Sequence, residues 1–168
     1  MTVLLSTRAF YISAIFVGLA ITLPSCSEDD EQIVEQQVED ALGTFVSDLE
    51  SQPATAADIS ARIYTYMQGN PDVFFGSTVA LLDSTQTVYT SPYWYRSSGT
   101  LLESDLLDTA YHINEQVWLR SVIDGGQAIW TEPYFDEGGG NIWMKTRSVP
   151  VFVNGQIVAV ATTDLSLE

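Results

Sequence analysis

Apolar residues recur at Val34, Val38, Leu42, Phe45 and Leu49, with mostly polar residues between them. Steps of four, four, three and four place these side chains on one stripe of an α-helix of about five turns. Gly43 is its weak point, and Gln52-Pro53 ends it. Ile59, Ile63 and Met67 repeat the helical spacing and predict a second helix from Thr55 to Gln68, closed by Gly69-Asn70-Pro71. From Val73 the pattern turns to strand. Phe75, Val79 and Leu81 lie in a run rich in aromatic and β-branched residues, Asp83-Ser84 supplies a turn, and Thr85 to Thr90 reads as the returning strand. The aromatic stretch SPYWYRSSG, Ser91 to Gly99, reads as a connection. Helical signals return from Leu101 to about Ser121 and stop at Gly125-Gly126. Three strands complete the pattern: Gln127 to Thr131, Asn141 to Val149 and Gln156 to Asp164, the last two joined by a tight Asn154-Gly155 turn. The expected fold class is α+β. It has a roughly five-stranded antiparallel sheet, a long N-terminal helix and further helices on one side.

The start of the chain follows a different logic. Arg8 precedes the uncharged apolar run AFYISAIFVGLAITL, and LPSC follows, ending at Cys26, the only cysteine. A basic start, a short apolar core and small residues before a cut describe an export signal. The run is short of the about 20 apolar residues that a membrane-spanning helix needs. Leu23-Pro24-Ser25-Cys26 resembles the bacterial lipobox, which implies cleavage before a lipidated Cys26. Ser27, rather than an aspartate, follows it, and this resembles outer-membrane routing of an envelope lipoprotein facing the periplasm. The expected organisation is a signal peptide over 1–25, an acidic tether over 26–30 and one domain over 31–168.

Charge removes several functions. With 22 acidic against 6 basic residues the formal charge is −16, which repels phosphate backbones and excludes nucleic-acid binding. The same field favours cationic small molecules. His112 is the only histidine, and with Cys26 at the anchor it has no partner for a zinc site. There is no G-x-S-x-G elbow and no phosphate loop. Glu132 with Asp136 or Asp164 would be a glycosidase pair by residue type alone, but chance pairs are expected among so many acids. No enzyme activity and no cofactor are expected.

The segment WTEPYFDEGGGNIW, Trp130 to Trp143, gathers rings and carboxylates ahead of three glycines. Tyr134 and Asp136 are two apart, so an extended backbone points them the same way. Tyr111 and Trp118 are seven apart and would share a helix face, whereas Gln116 would lie on another flank unless the helix breaks. Together with YHINEQVW from Tyr111 and the ending SVPVFVNGQIVAVATTDLSL from Ser148, this segment resembles an extracellular Cache sensor domain, a PAS-like module. The resemblance spans roughly residues 31–167 and implies a ligand cavity. Amino-acid-binding members of that family show a tyrosine, an arginine, a tryptophan, a later tyrosine and a final aspartate. Tyr111, Trp118, Tyr134 and Asp164 match, Asp136 falls where an amine-contacting carboxylate is often placed, and Gln116 stands at the arginine position. Without the arginine's bidentate grip on a carboxylate, amine recognition through Asp136 and Asp164 is the part that survives. Tyr95, and Arg96 beside it, occupy a region that also contacts ligand in some members, whereas Trp130 and Trp143 read as packing residues.

The expected function is a lipid-anchored, extracytoplasmic sensor module for a small solute, amine or amino-acid-like. The sequence ends at Glu168, just after Asp164, so output is expected to pass through a partner receptor or transporter. The competing expectation is an envelope adaptor that binds a neighbouring protein and keeps only a vestigial pocket. An open cavity favours the sensor; a filled one favours the adaptor.

Overall fold

The computed structural model describes residues 26–108 and 110–168. The signal-peptide expectation for 1–25 lies outside the described residues. Helix α1 (Cys26–Ser51) carries the predicted stripe and takes in the 26–30 stretch read as a tether; helix α2 (Ile59–Gly69) follows. Its start is four residues later than the spacing predicts, because the Asp58 carboxylate turns back to accept from the Thr55 N–H (2.6 Å) and hydroxyl. Residues 55–58 are thereby held as a turn. Among the described residues, no helix is long and apolar enough to cross a membrane.

Eight strands form one antiparallel sheet: β1 (Phe74–Leu82), β2 (Val88–Thr90), β3 (Pro92–Ser97), β4 (Thr100–Asp105), β5 (Ile129–Trp130), β6 (Tyr134–Phe135), β7 (Trp143–Val153) and β8 (Gln156–Ser166). The spatial order is β4-β3-β1-β8-β7-β5, with β2 beside β1 and β6 beside β7. The α+β antiparallel class agrees with the sequence pattern, but the sheet is larger than expected. The helix expected from Leu101 to Ser121 is in fact β4, a loop, a short 3-10 turn (Ile113–Glu115) and helix α3 (Val117–Gly125). Ser98 (φ 51°) and Gly99 (φ 79°) make a tight turn that folds β4 back on β3, so Leu101 pairs with Arg96 rather than winding into a helix.

The helices also lie on both faces of the sheet, not on one. Val79 and Leu81 of β1 and Ala159, Ala161 and Leu165 of β8 pack with Leu42, Phe45, Ile59 and Ile63 of α1 and α2. Ala80 and Val160 point the other way, to Trp118, Leu119 and Val122 of α3. Central strands buried on both sides must be apolar at successive positions, which explains why their runs look continuous rather than alternating.

Strand β7 divides its side chains by chemistry. On the helix face, Lys145 pairs with Glu31 and Glu35, and Arg147 lies 3.4 Å from Glu39. These acids are four apart, so one edge of α1 is fixed to β7 by charge, and Trp130 donates its indole N–H to Glu39 (3.0 Å). On the opposite face, β7 presents Thr146 to the interior described next.

Candidate functional site: a buried aspartate pair

The face of the sheet covered by α3 holds two buried carboxylates. Asp164 is on β8 directly opposite Thr146 of β7, and Asp136 follows β6 by one residue. Both are almost wholly buried. Thr146 donates its hydroxyl to Asp164 Oδ1 (2.7 Å), and Tyr93 donates to Asp164 Oδ2 (2.9 Å). The Tyr134 hydroxyl is 2.9 Å from Thr146 Oγ1. Because the threonine proton is committed to Asp164, Tyr134 is the donor there, which makes a relay from Tyr134 through Thr146 to Asp164. A second relay reaches Asp136: Trp118 Nε1–H donates to Tyr111 Oη (3.0 Å), and Tyr111 donates to Asp136 Oδ1 (2.9 Å). The Gly140 N–H supplies the last donor, to Asp136 Oδ2 (2.7 Å).

Each carboxylate oxygen thus has one donor, and every donor is neutral. Among the described residues the basic side chains are Arg62, Arg96, Arg120, Lys145 and Arg147, and each is ion-paired elsewhere with Asp48, Asp72, Asp124, Glu31 and Glu35, or Glu39. A buried charge without a counter-charge is costly and keeps its proton instead. Burial accordingly pushes Asp164 from 3.8 up to about 7; the bonds from Thr146 and Tyr93 oppose the rise and the neighbouring Asp136 charge adds to it. Burial also raises Asp136, against the bonds from Gly140 and Tyr111. Tyr93, Tyr111 and Tyr134 are pushed upward, first by burial and then by the aspartate charges, so all three stay neutral donors.

Local backbone chemistry builds these positions. The Gly138-Gly139-Gly140 turn folds back so that Asn141 N–H bonds the Asp136 carbonyl, and a Cβ at Gly139 would lie 2.8 Å from Asp136 Cγ. Glycine there lets the loop close over the carboxylate. Gly76 does the same for Tyr93: a Cβ at Gly76 would overlap the hydroxyl and lie 2.6 Å from the ring Cζ.

Of the residues singled out in the sequence, Tyr111, Trp118, Tyr134, Asp136 and Asp164 line one small cavity of about 10 Å³. Gln116 does not. It is the N-cap of α3, with extended backbone (φ −65°, ψ 134°), and its amide donates to the Tyr111 carbonyl (2.6 Å). The helix break needed to turn it inward does occur, but the side chain faces a separate, outer cavity. Tyr95 also stays out, stacking on Tyr93 with ring centroids 5.5 Å apart. Arg96 is a clamp, donating to the carbonyls of Phe74, Met67 and Asn70. Trp130 lies under Lys145 and Arg147 on the α1 side, whereas Trp143 is half exposed and meets Phe135 edge-on. Sequence reasoning missed Tyr93 and Thr146. Tyr93 was readable as the residue two before Tyr95, on the same strand face.

Residues 59–168 match the family model described as methyl-accepting chemotaxis protein-like, first PDC sensor domain. The chain belongs to this PDC sensor family. Among solved structures, the PDC sensor domain is similar to the extracellular domain named for histidine kinase soHK1S-Z6, at 27% identity and a TM-score of 0.70, over 83% of this chain and 56% of that one. It also resembles Methyl-accepting Chemotaxis protein X (17% identity, TM-score 0.60, 83% of this chain and 60% of that one). A third likeness is to the ligand-binding domain of the Campylobacter jejuni chemoreceptor Tlp3 in complex with L-valine (14% identity, TM-score 0.59, 82% and 53%). The last two likenesses show the fold alone. The chain spans little more than half the length of these structures. No curated protein matches it. The Cache resemblance in the sequence therefore resolves to a PDC sensor module.

Proposed function

We propose that this sensor module works outside the cytoplasm, held by lipid on Cys26 in the outer membrane and facing the periplasm. In this reading it recognises a small solute bearing a cationic amine and passes its output to a partner receptor or transporter. One observation carries the amine: two buried aspartates share a cavity, each satisfied by neutral donors alone, with the described cations engaged elsewhere. An ammonium group brings the missing counter-charge and up to three donors. A free carboxylate on the solute finds no cation there, so amino acids are disfavoured relative to plain amines.

A thermal-shift screen of amines, amino acids and organic acids tests the reading. Amines raise the melting temperature and organic acids do not. Asp164→Asn lowers amine affinity by about 30-fold or more, as expected when one partner of a buried charge pair is lost at about 2–5 kcal/mol. No shift with any amine contradicts the reading.

The cavity of about 10 Å³ favours the adaptor as a second reading, since it has room for about one water molecule. The sensor reading requires the cavity to open on binding; a structure in saturating amine that keeps it closed supports the adaptor. For the anchor, Cys26→Ser moves the exported protein from the membrane fraction to the soluble fraction. Unchanged partition of that variant removes the lipid anchor.

A further inference from the structure

The outer cavity reached by Gln116 measures about 290 Å³ and is walled by Val117, Thr131, Glu132 and Pro133 together with Trp118 and Tyr134. Trp118 and Tyr134 also wall the inner aspartate cavity. The two spaces are therefore separated by an aromatic partition. One half of it, Tyr134, is only partly buried and is held inward by its bond to Thr146. Turning that phenol outward merges the spaces and gives a chain of atoms a route from solvent to Asp136 and Asp164.

The polar equipment of the outer cavity is one-sided. The Gln116 amide nitrogen is committed to the Tyr111 carbonyl, leaving the side-chain oxygen as an acceptor, and Glu132 adds an exposed carboxylate. The lining contains no basic side chain. Methylene groups suit the walls formed by Val117, Pro133 and the rings, and the acceptors suit a second positive group. At about 290 Å³ the space falls just below the roughly 300 Å³ at which pockets for drug-sized ligands begin, so a short chain fits.

We infer that the outer cavity is a second subsite and that the site takes a linear aliphatic diamine. One ammonium sits at Asp136 and Asp164, and the other sits at Glu132 beside Gln116. This rests on the amine reading of the inner cavity and adds the class of the solute's far end.

Three probes with one four-carbon backbone isolate that end: 1,4-diaminobutane, n-butylamine and 4-aminobutanoate. In titration calorimetry on the purified chain, the diamine binds about fivefold tighter than butylamine, the gain expected of one exposed charge pair. The aminobutanoate is the weakest, because its carboxylate faces Glu132. Glu132→Gln narrows the gap between diamine and butylamine to within about twofold. Equal affinity for diamine and butylamine, or a gap that survives Glu132→Gln, overturns the outer subsite while leaving the inner amine site standing. Failure of all three probes to bind overturns both.

Discussion

Asp164→Asn stabilises the ligand-free protein at neutral and alkaline pH and flattens its pH dependence. Unfolded, the carboxyl ionises near 3.8; folded, burial holds its proton up to about 7. Folding therefore takes up a proton between those values. The carboxyl's favourable contribution is complete below about pH 4 and is lost as pH rises through about 7. The interval corresponds to about 4 kcal/mol once the group is ionised in both states. Between about pH 5 and about pH 8 the wild type should lose about 2–3 kcal/mol from this group alone. Asparagine has the same shape and does not ionise, and its two partners, Tyr93 and Thr146, are hydroxyls that can turn to accept from the amide. Urea denaturation at the two pH values reads the effect directly. Parallel loss in wild type and variant would mean that Asp164 is not the buried acid described here. The same substitution that stabilises the empty domain removes the charge an amine needs, so stability and binding move in opposite directions.

Gly76→Ala destabilises the domain by about 3 kcal/mol or more, a fall in melting temperature of roughly 6–12 °C. The new methyl would overlap the Tyr93 hydroxyl and lie 2.6 Å from Cζ and 2.8 Å from Cε2. Tyr93 has nowhere to retreat: it is 2% exposed, stacked on Tyr95 and bonded to Asp164. Moving it strips a donor from a buried carboxylate as well as disturbing the core. Tyr93→Phe, which keeps the ring and loses only the hydroxyl, costs about 1–2 kcal/mol. On a Tyr93→Ala background the alanine at Gly76 has no ring to strike, so the two losses should be far from additive. Additive losses in that cycle of chemical denaturation would show that the glycine is needed for the strand bend at the bulge between Phe74 and Gly76 instead.

The elements that could be read from the sequence are those whose signal is local. The α1 stripe and the Asn154-Gly155 turn are of this kind; Asn154 (φ 51°) and Gly155 (φ 78°) adopt the left-handed backbone that such a turn requires. The Ser98-Gly99 turn is a local mark of the same kind, but Leu101, Leu102 and Glu103 after it are good helix formers, so the local pattern reads as helix there. Pairing with β3 decided the outcome. The site needed more than local signals. At the Asn154-Gly155 turn, Val153 pairs with Gln156 and Phe152 with Ile157, a register that would set Asp164 opposite Lys145, on the α1 face of β7. An irregularity between Val151 and Phe152 moves the partner by one, to Val151 with Ala159, and so brings Thr146 opposite Asp164. Nothing local in the sequence announces that extra residue. Gln116 stays out of the aspartate cavity for a related reason: the helix breaks there, but its amide is drawn to the Tyr111 carbonyl instead of the aspartates.

We expect an ammonium group to replace the proton held by the buried aspartates, and calorimetry in buffers of different ionisation enthalpy tests this most directly. At about pH 6 Asp164 is mostly protonated in the empty domain, so amine binding should release close to one proton in the wild type and clearly less in any residual binding by Asp164→Asn. Amine binding with no dependence on the buffer, or with uptake of a proton, would contradict the account.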